Sequence, residues 1–185
     1  TGKISQKKLL FEKQHLERLQ KASRYFAFPF DEDSLRQEIE KECQSCDLHQ
    51  DYRLRLSLSK SGEVEIERQV LTPLSSNFCQ AKLCLQEADL QQPFTYFKTT
   101  HRPHLTVGEQ EIIYHTADGK LLETSIGNLV LKMDGKLYTP PSTLGLLPGI
   151  YRQHLLESRQ VEEKVLTIED LAQAEAIYGC NAVRG

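Results

Sequence analysis

The apolar positions along this chain change period near residue 50. Before it, Leu9, Phe11, His15, Leu16, Leu19, Ala22 and Phe26 recur at helical spacing, with Glu12, Lys13, Glu17 and Lys21 on the other face. That pattern predicts a short lead-in from residue 4 and then an amphipathic helix to residue 27. Phe28-Pro29-Phe30 stops it, since the residue before a proline is biased out of helical geometry. Asp31 to Ser34 then offers acidic and hydroxyl caps for a second helix through Leu35, Ile39 and Cys43. After His49 the alternation becomes strict: Tyr52 to Leu58 and Val64 to Glu67 read as two strands joined by the turn Ser59-Lys60-Ser61-Gly62.

The second half reads largely as sheet. Ala81 to Leu85 is a predicted strand, and residues 88–93 are polar and end in a proline, as a linker would. Glu111 to His115 and Leu121 to Glu123 are strands about an Asp118-Gly119 turn, and Leu129 to Leu131 is expected to continue the second of them. Lys136 to Pro141 is a further strand, Ile150 to Ser158 a helix, and Thr167 to Asp170 caps the last helix. The fold class expected is α/β (α+β) in two domains. These are a smaller one over 1–88, a linker at 89–96, and a larger sheet-rich one over 97–185.

Composition narrows the partners. With 39% hydrophobic and 26% charged residues, 185 positions can bury one good core or two small ones. A net charge of −3 gives no basic footprint for nucleic acid, and no apolar run approaches a bilayer span. Thr1-Gly2-Lys3-Ile4 has no charged-then-apolar leader. Five cysteines at scattered positions point to a reducing, cytoplasmic setting rather than a disulfide framework. Cys43-Gln-Ser-Cys46 has metal-like spacing but lacks a second ligand pair, so no metal is expected.

Two stretches carry the chemistry: Phe97-Lys98-Thr99-Thr100-His101-Arg102, with a lysine at an expected strand end, and Glu123-Thr124-Ser125-Ile126-Gly127-Asn128. A lysine amine paired with a carboxylate is what a pyridoxal phosphate site needs, one to hold the cofactor and one to keep its ring nitrogen protonated. Together with Thr139-Pro140-Pro141, Gly145-Leu146-Leu147-Pro148-Gly149-Ile150-Tyr151-Arg152, His15-Leu16-Glu17-Arg18-Leu19 and the terminal Asn181-Ala182-Val183-Arg184-Gly185, they resemble the class IV pyridoxal phosphate aminotransferases. Within that class the resemblance is strongest to the aminodeoxychorismate lyases, in the form often fused behind a chorismate-using synthase component.

The resemblance implies a fold-type IV enzyme with pyridoxal 5'-phosphate in an interdomain cleft and a homodimeric assembly. It makes Lys98 the lysine that carries the cofactor and Glu123 the partner of the ring nitrogen. By pattern alone Arg18 is a solvated helix flank; the resemblance makes it the phosphate-binding arginine, with backbone N–H groups of Ile126, Gly127, Asn181 and Ala182 completing the cradle. Arg53, Arg55, Arg102 and Arg184 are the candidates for substrate carboxylates. Gly145 to Gly149 is expected to shape a loop rather than touch substrate. Lys98 and Glu123 stand 25 residues apart (123 − 98), fewer than the family pattern, so further residues are expected between Leu105 and about Glu109 and beyond both ends. The reaction expected is release of pyruvate from 4-amino-4-deoxychorismate. An aminotransferase acting on branched-chain or D-amino acids, and a non-catalytic dimerisation or accessory domain, share the same scaffold.

Overall fold

The computed structural model describes residues 1–74, 76, 78–86, 92–102, 105 and 110–185. The chain divides into two compact units, Thr1–Ser75 with Ala182–Arg184, and Ser76–Asn181 with Gly185. The expected linker at 89–96 falls partly outside the described residues, as do most positions between Leu105 and Glu109; Pro93–Thr95 forms a 3-10 turn.

In the first unit, β1 (Gly2–Ser5), β2 (Lys8–Leu9), β3 (Tyr52–Leu58) and β4 (Val64–Val70) form an antiparallel sheet in the order β2-β1-β3-β4. The lead-in expected before the first helix is thus a hairpin. Its turn puts Gln6 and Lys7 at φ 49 and 61, the left-handed geometry usually announced by Asn-Gly, so these residues gave no sign of it. Helix α1 (Glu12–Phe26) and α2 (Glu32–Gln44) follow as the periodicity predicts, α2 capped by Asp31 accepting from Ser34 N–H at 3.1 Å. Ile4, Leu9, Leu16, Leu35, Ile39, Cys43, Cys46 and Leu54 make one buried cluster. Each fully buried aliphatic side chain there contributes roughly 1.5–3 kcal/mol of transfer free energy.

The second unit is built on β5 (Ala81–Leu85), β6 (Glu111–His115), β7 (Leu121–Thr124), β8 (Asn128–Met133), β9 (Lys136–Thr139), α3 (Ile150–Glu157), β10 (Glu162–Glu163), α4 (Ile168–Gln173) and β11 (Ala176–Cys180). Its sheet runs β10-β9-β8-β7-β6-β5, with β11 pairing β8. Strand β5, expected in the smaller domain, pairs in parallel with β6 and so belongs here. Along β8, Leu129 and Leu131 join one buried cluster and Val130 another, so both faces of the sheet are covered.

Two local corrections place the site. Leu129 to Leu131 does not continue the strand of Glu123; the chain reverses, Thr124 N–H bonding Gly127 O at 2.8 Å, and Glu123 lies opposite Asn128. Strand β11 leaves no mark in the apolar pattern, because its middle residues are exposed and show no buried period. It pairs antiparallel with β8, Cys180 opposite Asn128. A β-carbon on Gly127 would lie 2.5 Å from Cys180 O, so glycine is what lets these strand ends close.

Candidate active site

The segment carrying Lys98 is not a strand end. It leaves the 3-10 turn, where Tyr96 and Phe97 N–H groups bond Pro93 O at 3.0 and 2.9 Å, and is held by local contacts. Thr99 Oγ1 donates to His101 O at 2.7 Å, and the His101 ring meets Phe94 edge to face at 5.0 Å. Lys98 is exposed, whereas the Arg102 side chain is only 17% exposed. Both cations come from one short segment and act on one carboxylate.

That carboxylate is Glu123, with 2% of its surface exposed. Strand β7 buries four residues in a row, so Glu123 enters the interior as part of a fully covered strand. Its Oε1 accepts from Arg102 Nη2 at 3.3 Å and from the Leu147 N–H at 3.3 Å. Burial pushes its pKa up to about 7, against the downward pull of Arg102, the Leu147 N–H and the Lys98 charge. A carboxyl poised there can hold or release a proton near neutrality.

Leu147 ties the loop before α3 to this centre. Its N–H serves Glu123, and its carbonyl accepts from Asn128 Nδ2 at 2.8 Å. Gly149 caps α3 with no side chain, packed against Asn128, and the first helical bond runs from Gln153 N–H to Gly149 O at 2.9 Å. Backbone N–H groups ahead of that bond have no helical acceptor, which makes this end a candidate anion seat. The loop expected only to shape the backbone is therefore bonded to the site. The signal available was Leu-Pro-Gly immediately before an apolar run, a helix start without a capping side chain.

The cradle expected from Ile126, Gly127, Asn181 and Ala182 is arranged differently. The Ile126 N–H donates to Glu111 Oε1 at 3.2 Å, beside Ser125 Oγ at 2.7 Å, and the Gly127 N–H donates to Thr124 Oγ1 at 3.1 Å. Asn181 N–H bonds Gly185 O at 3.3 Å, while Asn181 Nδ2 reaches Ile126 O at 3.5 Å. Three of the four amides thus already serve acceptors within the protein: the reversal after Thr124 engages those of Ile126 and Gly127, and the terminal turn to Gly185 that of Asn181.

Arg18, Arg53, Arg55, Ala182 and Arg184 belong to the first unit. Arg18 is half-buried on α1, its Nη2 at 3.4 Å from His15 Nδ1, so it is not the solvated flank that pattern alone suggests. Arg53 and Arg55 share a face with Glu67 and Gln69, and Arg55 pairs with Glu67 at 3.5 Å. Arg184 Nη1 donates to Thr72 O at 2.8 Å. Of the carboxylate-binding candidates, Arg102 alone is in the second unit, and it is bonded to Glu123.

The arrangement around Glu123 fits the ring end of pyridoxal phosphate, with a buried acceptor pinned by two donors and a lysine near enough for its charge to act.

The fold is shared with solved structures. The chain superimposes on a provisionally named amino-acid aminotransferase from Mesorhizobium loti with a TM-score of 0.82 at 24% identity, covering 100% of this chain and 93% of that one. A provisionally named 4-amino-4-deoxychorismate lyase from Legionella pneumophila matches with a TM-score of 0.78 at 22% identity, over 99% of this chain and 78% of its own. A pyridoxal-phosphate-bound hypothetical aminotransferase from Mycobacterium tuberculosis matches with a TM-score of 0.82 at 20% identity, over 98% and 75%. Among curated proteins, an uncharacterized protein from Haemophilus influenzae is 35% identical over 68 residues, 37% of this chain and 35% of that protein. The segment aligned thus spans about a third of that relative. The model of the class IV amino-transferases matches residues 1–185, so the chain belongs to the class IV aminotransferase family, whose cofactor is pyridoxal phosphate.

Proposed function

We propose that this chain is a 4-amino-4-deoxychorismate lyase, which releases pyruvate and leaves 4-aminobenzoate for folate synthesis. The observation that carries this reading is the convergence of Lys98 and Arg102 on buried Glu123, within the two motifs that resemble the lyases. Likeness to the Legionella structure supports it at the level of fold.

In this reading Lys98 would hold the cofactor, and its amine would take the proton from the amine-bearing ring carbon of the substrate. The cofactor supplies an electron sink that makes this proton acidic. Glu123 holds a proton at the ring nitrogen, and the buried setting keeps water from competing for it. As the substrate ring becomes aromatic, its carbon–oxygen bond to the enolpyruvyl group breaks, and the departing enolate takes up a proton at its methylene carbon to become pyruvate. Nothing is oxidised overall, so no second substrate is required. By its resemblance Arg18 is the phosphate-binding arginine, and Arg53, Arg55 and Arg184 are candidates to meet substrate carboxylates. The working unit is a cytoplasmic homodimer, alone or joined to a chorismate-using synthase component.

The test is incubation of the cofactor-loaded protein with 4-amino-4-deoxychorismate, following 4-aminobenzoate and pyruvate separately. Equal amounts of both without any keto acid are the expected result. Turnover that appears only when a branched-chain or other keto acid is added would replace the lyase with an aminotransferase. Absence of both activities in folded protein that takes up no cofactor would favour the accessory-domain reading.

A further inference from the structure

The substrate-binding role expected for Arg102 does not match where its guanidinium lies. Nη2 is 3.3 Å from Glu123 Oε1, and Nε is buried without a partner among the described residues. Among the described residues its one bond is the one to Glu123. An unpartnered buried donor is costly, so the guanidinium stays because the carboxylate requires it.

Glu123 has two needs that its own strand cannot meet. Burial favours the neutral acid, yet an acceptor for a protonated ring nitrogen must be ionised. A side chain at the end of two rotatable bonds must also present one defined oxygen. Both bonds from within the protein fall on Oε1, and among the described residues Oε2 accepts none. Three groups oppose the burial: Arg102, the Leu147 N–H and the Lys98 charge. The Leu147 amide carries no net charge, and Lys98 is exposed and has a proton to move. A guanidinium keeps its charge throughout the working pH range and offers a fixed fork of donors.

We propose that Arg102 is a positioning residue: by holding Oε1 of Glu123 it keeps that carboxylate ionised and turned to receive the nitrogen of the cofactor ring, and it does not itself meet the substrate. The inference rests on Glu123 being the ring partner, and holds whether the chain is a lyase or an aminotransferase.

The test is a double-mutant cycle read on cofactor affinity, by titrating the cofactor-free full chain with pyridoxal 5'-phosphate. Arg102→Met is expected to weaken binding about tenfold, the scale of one charge-assisted hydrogen bond. Arg102→Lys, which restores the charge without the fork, should recover part of that loss. In a Glu123→Gln background Arg102→Met should change the affinity less than twofold, because the partner it orients is gone. Isotope-edited infrared titration of the cofactor-free protein should show the Glu123 carboxyl ionising at higher pH in the Arg102→Met chain. If Arg102→Met does not fold, Arg102→Gln serves in the same comparison.

An equal loss in both backgrounds would overturn the inference by making Arg102 a direct cofactor ligand. An unchanged affinity and carboxyl titration with a raised substrate KM would overturn it by making Arg102 a substrate ligand. If Glu123→Gln itself leaves the affinity unchanged, the assignment of Glu123 fails, and this inference with it.

Discussion

A β-carbon on Gly149 would overlap Oδ1 of Asn128. Gly149 sits at φ −69 and ψ 144, which any residue can adopt, so the demand for glycine is steric and not conformational. Asn128 cannot swing aside cheaply, since its Nδ2 is bonded to Leu147 O, and the Leu147 N–H is bonded to Glu123. Gly149→Ala is therefore expected to lower stability by about 1–3 kcal/mol, the usual cost of overpacking. It should also weaken pyridoxal phosphate binding. Urea unfolding of the cofactor-free chain, with a cofactor titration alongside, checks both.

Burial of Glu123 predicts a definite pH dependence. Its folded pKa, about 7, lies above the ordinary 4.5, so the folded state holds this proton more tightly than the unfolded chain does. The resulting stabilisation is fully present below pH 4.5 and is lost as pH rises through 7. At about 1.4 kcal/mol per pH unit, the cofactor-free protein should lose on the order of 3 kcal/mol across that window from this group. Glu123→Gln, which cannot ionise, should flatten the profile. Equilibrium unfolding of both chains at intervals from pH 4.5 to 8 is the measurement, and parallel profiles would contradict the assignment.

Neighbouring glutamates on β10 should behave differently. Glu162 pairs with Lys136 at 3.7 Å with both side chains more than half exposed, so Glu162→Ala should change stability by less than about 0.5 kcal/mol. Glu163 meets Arg152 at 2.5 Å, and Arg152 is 2% exposed, with its other contact to Pro140 O at 2.8 Å. Glu163→Ala leaves a buried guanidinium short of its counter-charge. A loss of roughly 2 kcal/mol is expected, below the 3–5 of a fully buried pair because Glu163 itself is partly in water. Denaturant midpoints of the two variants settle the contrast.

Lys98 should be the one residue labelled when borohydride reduces the cofactor-loaded protein. Peptide mapping is expected to find a pyridoxyl group on Lys98, and neither Lys98→Ala nor Lys98→Arg should be labelled there. Lys98→Arg retains a charge acting on Glu123, so it should bind cofactor more tightly than Lys98→Ala. Dissociation constants from absorbance titration would test that order.

Most elements with a buried face could be read from the chain itself. The helices show a 3.6-residue stripe and β3 and β4 an alternation of two, because one face of each packs against a core. The elements missed lack that mark. The β1–β2 turn uses Gln6 and Lys7 in left-handed geometry, and β11 is exposed along its middle. Missing β11, and the reversal after Thr124, concealed why Ile126, Gly127 and Asn181 donate within the protein.

Residue types and order determined the rest of what the sequence alone could say: a two-unit α+β chain, the family and its cofactor, with Lys98 and Glu123 as the candidate pair. Tertiary structure decided which groups touch that pair. Arg102, a candidate for substrate carboxylates, lies bonded to Glu123, and Leu147 and Asn128, the neighbour of Gly149, tie the loop before α3 to the same carboxylate. The physical reason is that a charge's role depends on burial and on what lies within about 3 Å, and contacts between positions over twenty residues apart leave no period in the chain.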